Sequence, residues 1–146
     1  MSVEENKTTA VRIVEEIFNK GNFALMPELI SLDFIAHITP ELRGHERLRQ
    51  HIVDTRKVFP DVHYTISHII AEGDLVACRV TLEGTHTGAG NLMGLGAPTG
   101  KRVSIAAIRI ERFARGKLIE AWQESNINAI YQQLGVPPPG YGFAKK

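Results

Sequence analysis

Residues 118–126 carry the side chains best suited to chemistry. In a β-strand alternate side chains point to the same side, so Trp122, Glu124 and Asn126 share one face. If that face lines a cavity, Trp122 stacks on a planar ligand and the two polar side chains supply hydrogen bonds. A carboxylate buried in such a cavity has a raised pKa, which suits proton transfer near neutral pH. The alternative is a plain strand with Trp122 in the core and two polar residues near its frayed end.

The turn at Arg115-Gly116 decides which residues lie opposite this strand. A two-residue type I′ turn needs positive φ at both positions, which suits Arg115 poorly, whereas a type I turn with a bulge needs it only at the glycine. We therefore predict that Phe113 pairs with Lys117 and that Arg112 shares the face of Trp122. A one-residue slip would exchange this set for Arg109 and its neighbours. The predicted pairs are Ile108 with Trp122, Ala106 with Glu124 and Ser104 with Asn126.

Three of the six histidines occupy positions from which they could reach a cavity. His86 has the parity of the apolar positions in the strand before it, so we predict that it points inward. His37 follows an apolar stretch, and His51 lies beside Leu48 on a predicted helix. Each could be a general base or a hydrogen-bond donor, and each could equally be a satisfied structural histidine. No pair has HxH or HExxH spacing, so we expect no metal site.

The glycine-rich segment 86–101 matches no phosphate-binding motif. Its glycines lack GxGxxG spacing, and no Ser or Thr follows the lysine as a P-loop requires. We expect a mobile loop at the cavity mouth, with Leu92, Met93 and Leu95 as an apolar lid. A long solvated hairpin connection is the alternative.

Length, charge and cysteine content restrict the class of function. The 146 residues suit one domain, and 17 Lys and Arg nearly balance 16 Asp and Glu, so we expect no nucleic-acid partner. The single cysteine, Cys78, excludes an intramolecular disulfide and lies among apolar residues, where we expect it to be inert. No apolar run could span a bilayer, and the acidic N-terminus is unlike a signal peptide. We therefore expect a cytoplasmic protein with no membrane partner.

Apolar periodicity predicts helices first and strands afterwards. Spacing near four predicts helices over residues 2–20, 25–32 and 45–58, and a short helix ending at Leu134. Alternation predicts strands from residue 62 and over residues 75–86, 102–113 and 117–126. This order indicates the α+β class, with helices covering one face of a curved antiparallel sheet and a pocket open at one end. We assign residues 1–135 to one domain and the Pro- and Gly-rich residues 136–146 to a tail.

Short motifs run in a recognisable order from about residue 10 to residue 135. They are Asn19-Lys20-Gly21-Asn22, Asp33-Phe34-Ile35-Ala36-His37, Gly44-His45-Glu46, Phe59-Pro60-Asp61, Ala71-Glu72-Gly73-Asp74-Leu75-Val76, Gly84-Thr85-His86-Thr87-Gly88, Pro98-Thr99-Gly100-Lys101, Arg112 with Gly116-Lys117, Glu120-Ala121-Trp122 and Gln133-Leu134-Gly135. In this order and spacing, the motifs resemble those of the SnoaL-like polyketide cyclases, also called ester cyclases, of the nuclear transport factor 2-like superfamily.

This resemblance implies a fold and a chemistry. The fold is a cone in which a curved antiparallel sheet wraps around N-terminal helices, and it usually forms a homodimer through the sheet. Family members act without cofactors on hydrophobic polyketide esters: an aspartate removes an acidic proton, and the enolate closes a ring by aldol attack. We therefore expect a small hydrophobic, polyketide-like cyclic carbonyl compound as the ligand, and no cofactor.

One departure from the family pattern changes the expected mechanism. The final strand of the family typically reads Trp-x-x-x-Asp, whereas here Trp122 is followed four residues later by Asn126. An amide cannot take a proton at neutral pH, although it can donate one hydrogen bond and accept another. We hypothesise cyclase- or isomerase-type acid–base chemistry with Glu124 or His37 as the base and Asn126 holding an oxygen. The candidate ligand-binding residues are Trp122, His86, His51 and Arg112.

Two other functions fit the same fold. The protein could bind a ligand without transforming it, because the expected base is absent. It could also be a cofactor-independent hydroxylase in which the substrate itself activates oxygen. The sequence does not separate these three functions.

Overall fold

The computed structural model describes residues 2–38, 40–90 and 92–138. Within these ranges the chain forms four α-helices and six strands. The elements are α1 Val3–Arg12, a π-helix Ile13–Asn19, a 3₁₀-helix Phe23–Leu25, α2 Met26–Leu29, β1 Ile30–His37, β2 Leu42–Arg43, α3 Gly44–Val58, β3 His63–Glu72, β4 Leu75–Thr85, β5 Arg102–Ala114, β6 Lys117–Ser125 and α4 Asn128–Leu134. Most of the predicted tail, residues 139–146, lies outside the described part of the chain.

The six strands form one curved sheet that confirms the α+β class. Their spatial order is β2-β1-β6-β5-β4-β3, and every neighbouring pair is antiparallel except β1 with β6, which is parallel. The N-terminal helical segment, which is α1 with the π-helix that follows it, covers one face of this sheet together with α3. This arrangement is expected for a fold with one layer of helices on a curved sheet. No helix among the described residues is long and apolar enough to cross a membrane.

The first two strands were missing from the sequence prediction. The predicted second helix continues to residue 32, but the chain enters β1 at Ile30 after a single turn of α2. A short apolar run reads equally well as a buried helix or a buried strand, and here the parallel pairing with β6 decides in favour of the strand.

The N-terminal helix begins as the sequence predicts. The backbone N–H of Glu5 donates to the Ser2 hydroxyl at 3.0 Å, and the N–H of Ser2 donates to the Glu5 carboxylate at 2.8 Å. This reciprocal capping box satisfies two N–H groups that the helix leaves unpaired. The π-helix that continues α1 ends at Asn19, and Gly21 follows it with a φ of 67° that favours glycine.

Asn19 fastens the end of the π-helix to the sheet. Its side-chain amide donates to the carbonyl of Tyr64 at 2.8 Å and accepts from the N–H of Tyr64 at 2.7 Å. The asparagine therefore pairs with the backbone of β3 as a neighbouring strand would. This contact positions the preceding residue, Phe18, against the Tyr64 ring, with ring centres 5.3 Å apart.

The predicted register of the β5–β6 hairpin is wrong by two residues. Arg115 and Gly116 have φ values of 53° and 79°, so the turn has the two-residue type I′ geometry. Arg115 therefore adopts a positive φ that suits an arginine poorly. The register also shifts by one residue between Arg112 and Phe113. The observed pairs are Ala114 with Lys117, Ile110 with Trp122 and Ile108 with Glu124.

Two apolar clusters build the core. The first joins the N-terminal helical segment, β1 and α3, and includes Ile13, Ile17, Phe34 and Ile52. The second joins the end of α3, α4 and the segment between β4 and β5, and includes Phe59, Leu92, Leu95, Val103, Ile130 and Leu134. Tyr64 packs against both clusters. Residues of both clusters also line a cavity between them.

Leu92 and Leu95 of the glycine-rich segment are buried, whereas most of its other described residues are exposed. Leu92 and Leu95 are 9% and 4% exposed, which agrees with their predicted role as apolar cover. The backbone N–H of Gly88 donates to the carbonyl of Val58 at 3.1 Å. A Cβ atom at Gly88 would lie 1.7 Å from the carbonyl oxygen of Lys57, so only glycine permits this approach.

Candidate functional site

A cavity of about 640 Å³ lies between the two apolar clusters. Its walls are mostly apolar and aromatic, with a few polar side chains, which is the usual composition of a small-molecule site. The wall includes Phe18, Phe59, Tyr64, Val80, Leu82, Leu92, Met93, Ile105, Ile130 and Tyr131. A smaller apolar pocket of about 50 Å³ shares residues with it and reaches Ile30, Phe34 and Leu48.

Three polar side chains of the cavity, Arg109, Gln123 and His51, come from two paired strands and one helix. Arg109 of β5 lies opposite Gln123 of β6, and directly opposed residues of an antiparallel pair point to the same side of the sheet. His51 comes from α3. These three residues also line the smaller pocket. The polar groups are therefore gathered where the two spaces meet.

Arg109 forms a buried ion pair with Glu111. Its Nη2 donates to the Glu111 carboxylate at 2.7 Å, and the two residues are 8% and 2% exposed. The guanidinium carbon lies 5.3 Å from the centre of the Phe18 ring, so the ring lies against the cation. The Nε of Arg109 is buried and has no hydrogen-bond partner among the described residues. Burial raises the pKa of Glu111, an effect that the nearby guanidinium opposes.

His51 is held as a neutral imidazole. Burial lowers its pKa from the usual 6.5, Arg47 and Arg109 lower it further, and Asp54 opposes them. The side chain is therefore unprotonated near neutral pH, which a general base requires.

Tyr64 and Cys78 stay protonated near neutral pH, and the Tyr131 hydroxyl is engaged in a hydrogen bond. Burial raises the pKa of Tyr64 to about 12 and that of Cys78 to about 11. The Tyr131 hydroxyl donates to the carbonyl of Met93 at 2.7 Å, which ties α4 to the cover of the cavity. Cys78 is thus a buried, inert thiol, as we predicted.

The structure places Trp122 on the outer face of the sheet and not in the cavity. Its ring stacks on His37 with centres 5.4 Å apart, and the guanidinium carbon of Arg112 lies 5.7 Å from the ring centre. Arg112 also pairs with Asp74 at 2.9 Å. Trp122 and Arg112 are therefore partners of each other on the side of the sheet away from the cavity, as the shared parity in the sequence indicated.

His37 and Glu124 lie at the boundary of the cavity. The Nε2 of His37 is 2.7 Å from a Glu120 oxygen, and its Nδ1 is 3.2 Å from a Glu41 oxygen. Both ring nitrogens are thus occupied by carboxylates. Glu124 is exposed and lies opposite Ile108.

Asn126 and His86 are outside the cavity lining. Asn126 follows β6 directly and is exposed, and its carbonyl accepts from the N–H of Ala129 at 3.1 Å. His86 points inward as predicted and is fully buried. Its Nδ1 accepts from the N–H of Thr99 at 3.3 Å, so it anchors the segment between β4 and β5.

Sequence reasoning named Arg109 only as the outcome of a one-residue slip and did not name Gln123, because charge and apolarity are distributed against the usual rule. The inner face of β5 carries the buried Arg109 and Glu111, whereas its outer face carries Ile108 and Ile110, which are 51% and 42% exposed. The available signal is indirect: Arg109 pairs with Cys78, which lies at an apolar position of β4 and therefore marks the inner face. The described residues contain no group of three His, Cys, Asp or Glu side chains that could hold a metal ion.

Comparison with known proteins identifies the family. A sequence model of the SnoaL-like polyketide cyclases matches residues 8–134, nearly the whole described chain. The chain belongs to this family. No curated protein matches it.

Solved structures of similar proteins agree with the family assignment. AclR from Streptomyces galilaeus, a candidate hydroxylase, is 30% identical with a TM-score of 0.78, and the match covers 93% of this chain and 100% of AclR. IdmH from Streptomyces antibioticus, a candidate polyketide cyclase, is 29% identical with a TM-score of 0.76, covering 90% and 99%. A candidate SnoaL-like polyketide cyclase from Jannaschia sp. CCS1 is 22% identical with a TM-score of 0.80, covering 92% and 94%, and supports the fold alone.

Proposed function

We propose that this SnoaL-like protein binds a small hydrophobic cyclic carbonyl compound in the cavity and acts on it by cofactor-independent proton transfer. The observation that carries the proposal is that His51, Arg109 and Gln123 all line one mostly apolar cavity of about 640 Å³. Apolar walls favour a ring system, and a few convergent polar groups orient its oxygen.

The three polar residues divide the chemistry between them. His51, unprotonated because burial lowers its pKa, removes a proton from the carbon next to the carbonyl. The electron pair moves to the carbonyl oxygen, and the enolate charge is stabilised by Arg109 and the amide of Gln123. His51 then returns the proton to another atom of the same ligand. For an isomerisation that atom is another carbon. For a ring closure the enolate carbon first bonds to a second carbonyl carbon of the ligand, whose oxygen then takes the proton. Neither change consumes another reagent.

Glu124, His37 and Asn126, the catalytic candidates from the sequence, have secondary roles in this proposal. Glu124 lies at the boundary of the cavity, so it is the second candidate base, for a ligand that extends to the mouth. Both ring nitrogens of His37 contact carboxylates, which disfavours it as a base. Asn126 would hold an oxygen only if the residues after β6 turned inward.

Two observations favour other functions of the same cavity. Asn126 stands where the family usually has its aspartate, which favours binding without turnover. The 30% identity with AclR, a candidate hydroxylase, favours oxygen chemistry on the bound molecule. Consumption of oxygen with a reduced aromatic ligand would distinguish the second alternative from proton transfer.

Filling the cavity tests where the ligand binds. Ala107 lies on the inner face of β5 and lines the cavity, so Ala107→Phe places a ring in the proposed binding space. We expect at least about a tenfold loss of affinity for β-tetralone, a bicyclic ketone, measured by calorimetry, since each tenfold step is about 1.4 kcal/mol. The matched control is Ala114→Phe at an exposed position of the same strand, which should bind like wild type. Equal binding by both variants would place the ligand elsewhere.

We also propose a homodimer through the outer face of the sheet, as the family resemblance implies. Ile70, Ala77, Ile110 and Trp122 form a row across four strands on this face. Ile70 and Ile110 are 70% and 42% exposed, and such exposed apolar patches often mark interfaces.

A charge in this row tests the dimer. We expect wild type to sediment as a dimer and Ile110→Glu to sediment as a monomer with unchanged helix content. A monomeric wild type would contradict the proposal.

A further inference from the structure

We propose that Arg109 selects ligands carrying a carboxylate on the ring system over the corresponding neutral esters. The inference rests on the proposed function, because it names the class of molecule that enters the same cavity. Its basis is the incomplete hydrogen bonding of a nearly buried guanidinium that lines the ligand space.

Arg109 has more hydrogen-bond donors than the described residues use. A guanidinium carries five N–H groups, which lie in one plane and match the two oxygens of a carboxylate. Only the bond from Nη2 to Glu111 is formed among the described residues, and the buried Nε has no partner there. Nη1 also makes no hydrogen bond among the described residues, and it is not one of the buried unpartnered atoms, so it is accessible and can donate to an arriving carboxylate.

The remaining surroundings of Arg109 favour an acceptor inside the cavity. Phe18 lies against the guanidinium, and Glu111 occupies Nη2. Gln123, directly opposite on β6, also lines the cavity and makes no side-chain hydrogen bond among the described residues. Its amide N–H₂ would bond an anion bound to Arg109.

Glu111 does not block a second anion. Burial raises the pKa of Glu111, so this carboxylate can take a proton when a ligand anion approaches the shared guanidinium. Cys78 lies beside the pair, and burial raises its thiol pKa to about 11, so it adds no negative charge. An ester offers Arg109 a weak neutral acceptor, whereas a carboxylate offers a charge-assisted pair in a water-poor site.

The apolar side of the ligand follows from the same geometry. The smaller pocket beyond Arg109 is lined by Ile30, Phe34 and Leu48 and is only about 50 Å³ in volume. It is too small for a ring, so the ring system fills the larger cavity and the carboxylate points towards Arg109. The substrate class is therefore a cyclic or aromatic acid whose ring system fits the cavity of about 640 Å³.

Paired ligands that differ only in charge test the inference. β-Naphthoic acid and its methyl ester are titrated against wild type, with naphthalene fluorescence as the signal. We expect the acid to bind at least about tenfold more tightly, because hydrogen bonds between charged partners are about twice as strong as those between neutral ones. Arg109→Met/Glu111→Leu removes both charges and should erase the preference, because binding of the acid weakens more than binding of the ester.

A second variant keeps the test independent of the double substitution. Glu111→Gln keeps Arg109 in place and removes its competing carboxylate, so it should bind the acid more tightly than wild type and the ester equally well. An equal affinity of wild type for acid and ester, or a preference that persists in the double variant, would overturn the inference and leave the proposed function standing. Failure of both ligands to bind wild type would count against the proposed function, and the inference would fall with it.

Discussion

Replacement of His51 by glutamine lowers proton exchange on a bound ketone by about a hundredfold or more, the usual contribution of a positioned general base. The assay follows deuterium incorporation next to the carbonyl of β-tetralone by NMR in D₂O. Glutamine fills a similar space and keeps a polar group in the cavity, but it cannot accept a proton at neutral pH. Binding of β-tetralone should change little, because His51 acts on the proton and the apolar walls bind the rings.

The control and the pH dependence separate this role from a structural one. His63→Gln changes an exposed histidine of β3 and should leave the exchange rate unchanged. The base must be unprotonated, so the rate falls as pH decreases through the pKa of His51. Burial lowers that pKa, which places the falling limb below the usual 6.5. A wild-type rate in His51→Gln, together with a large loss in Glu124→Gln, would transfer the role to Glu124.

Removal of Glu111 alone produces the largest expected loss of stability. Glu111→Leu leaves Arg109 with a buried, uncompensated charge, and breaking such a pair from one side costs about 3–5 kcal/mol. The free energy of unfolding is measured by urea denaturation. Arg109→Met/Glu111→Leu removes both charges and should recover most of that loss, since apolar groups of similar size replace buried ion pairs at little net cost.

An exposed ion pair provides the matched control. Arg49 and Glu46 lie 3.3 Å apart with side chains 53% and 84% exposed. Glu46→Leu should therefore change stability by less than about 1 kcal/mol. If Glu111→Leu were as mild as this control, the ion pair would not be an important part of the core. Arg109 would then be needed in the cavity for a role other than stability.

The sequence predicts most of the fold because local signals and tertiary packing agree there. The capping box at Ser2 and the alternation of β4 both appear as expected, and Gly73 and Gly116 each mark a turn. The signals fail where pairing decides the outcome. β1 looks like the continuation of a helix, and Arg115 adopts a positive φ that its side chain does not favour. In both places contacts distant in sequence override the local preference.

The candidate site is harder to predict because its polar residues violate the apolar-inside pattern. A buried Arg109–Glu111 pair reads as an exposed face in the sequence, while Trp122 and Ile110 on the outer face read as core. Only the three-dimensional pairing of β4, β5 and β6 shows which face lines the cavity. Helix periodicity placed His51 beside Leu48 and strand parity placed His86 inward, but only His51 lines the cavity. Arg109 and Gln123 needed the structure.

Proton exchange by the wild-type protein is the most direct test of the proposed function. Pure protein is incubated with β-tetralone in D₂O, and deuterium incorporation is compared with that in buffer and with that produced by Ala107→Phe. The proposal predicts saturable exchange well above the buffer rate, which is lost when the cavity is filled. If β-tetralone binds the wild type and yet exchanges only at the buffer rate, proton transfer is contradicted and the cavity is a binding site alone.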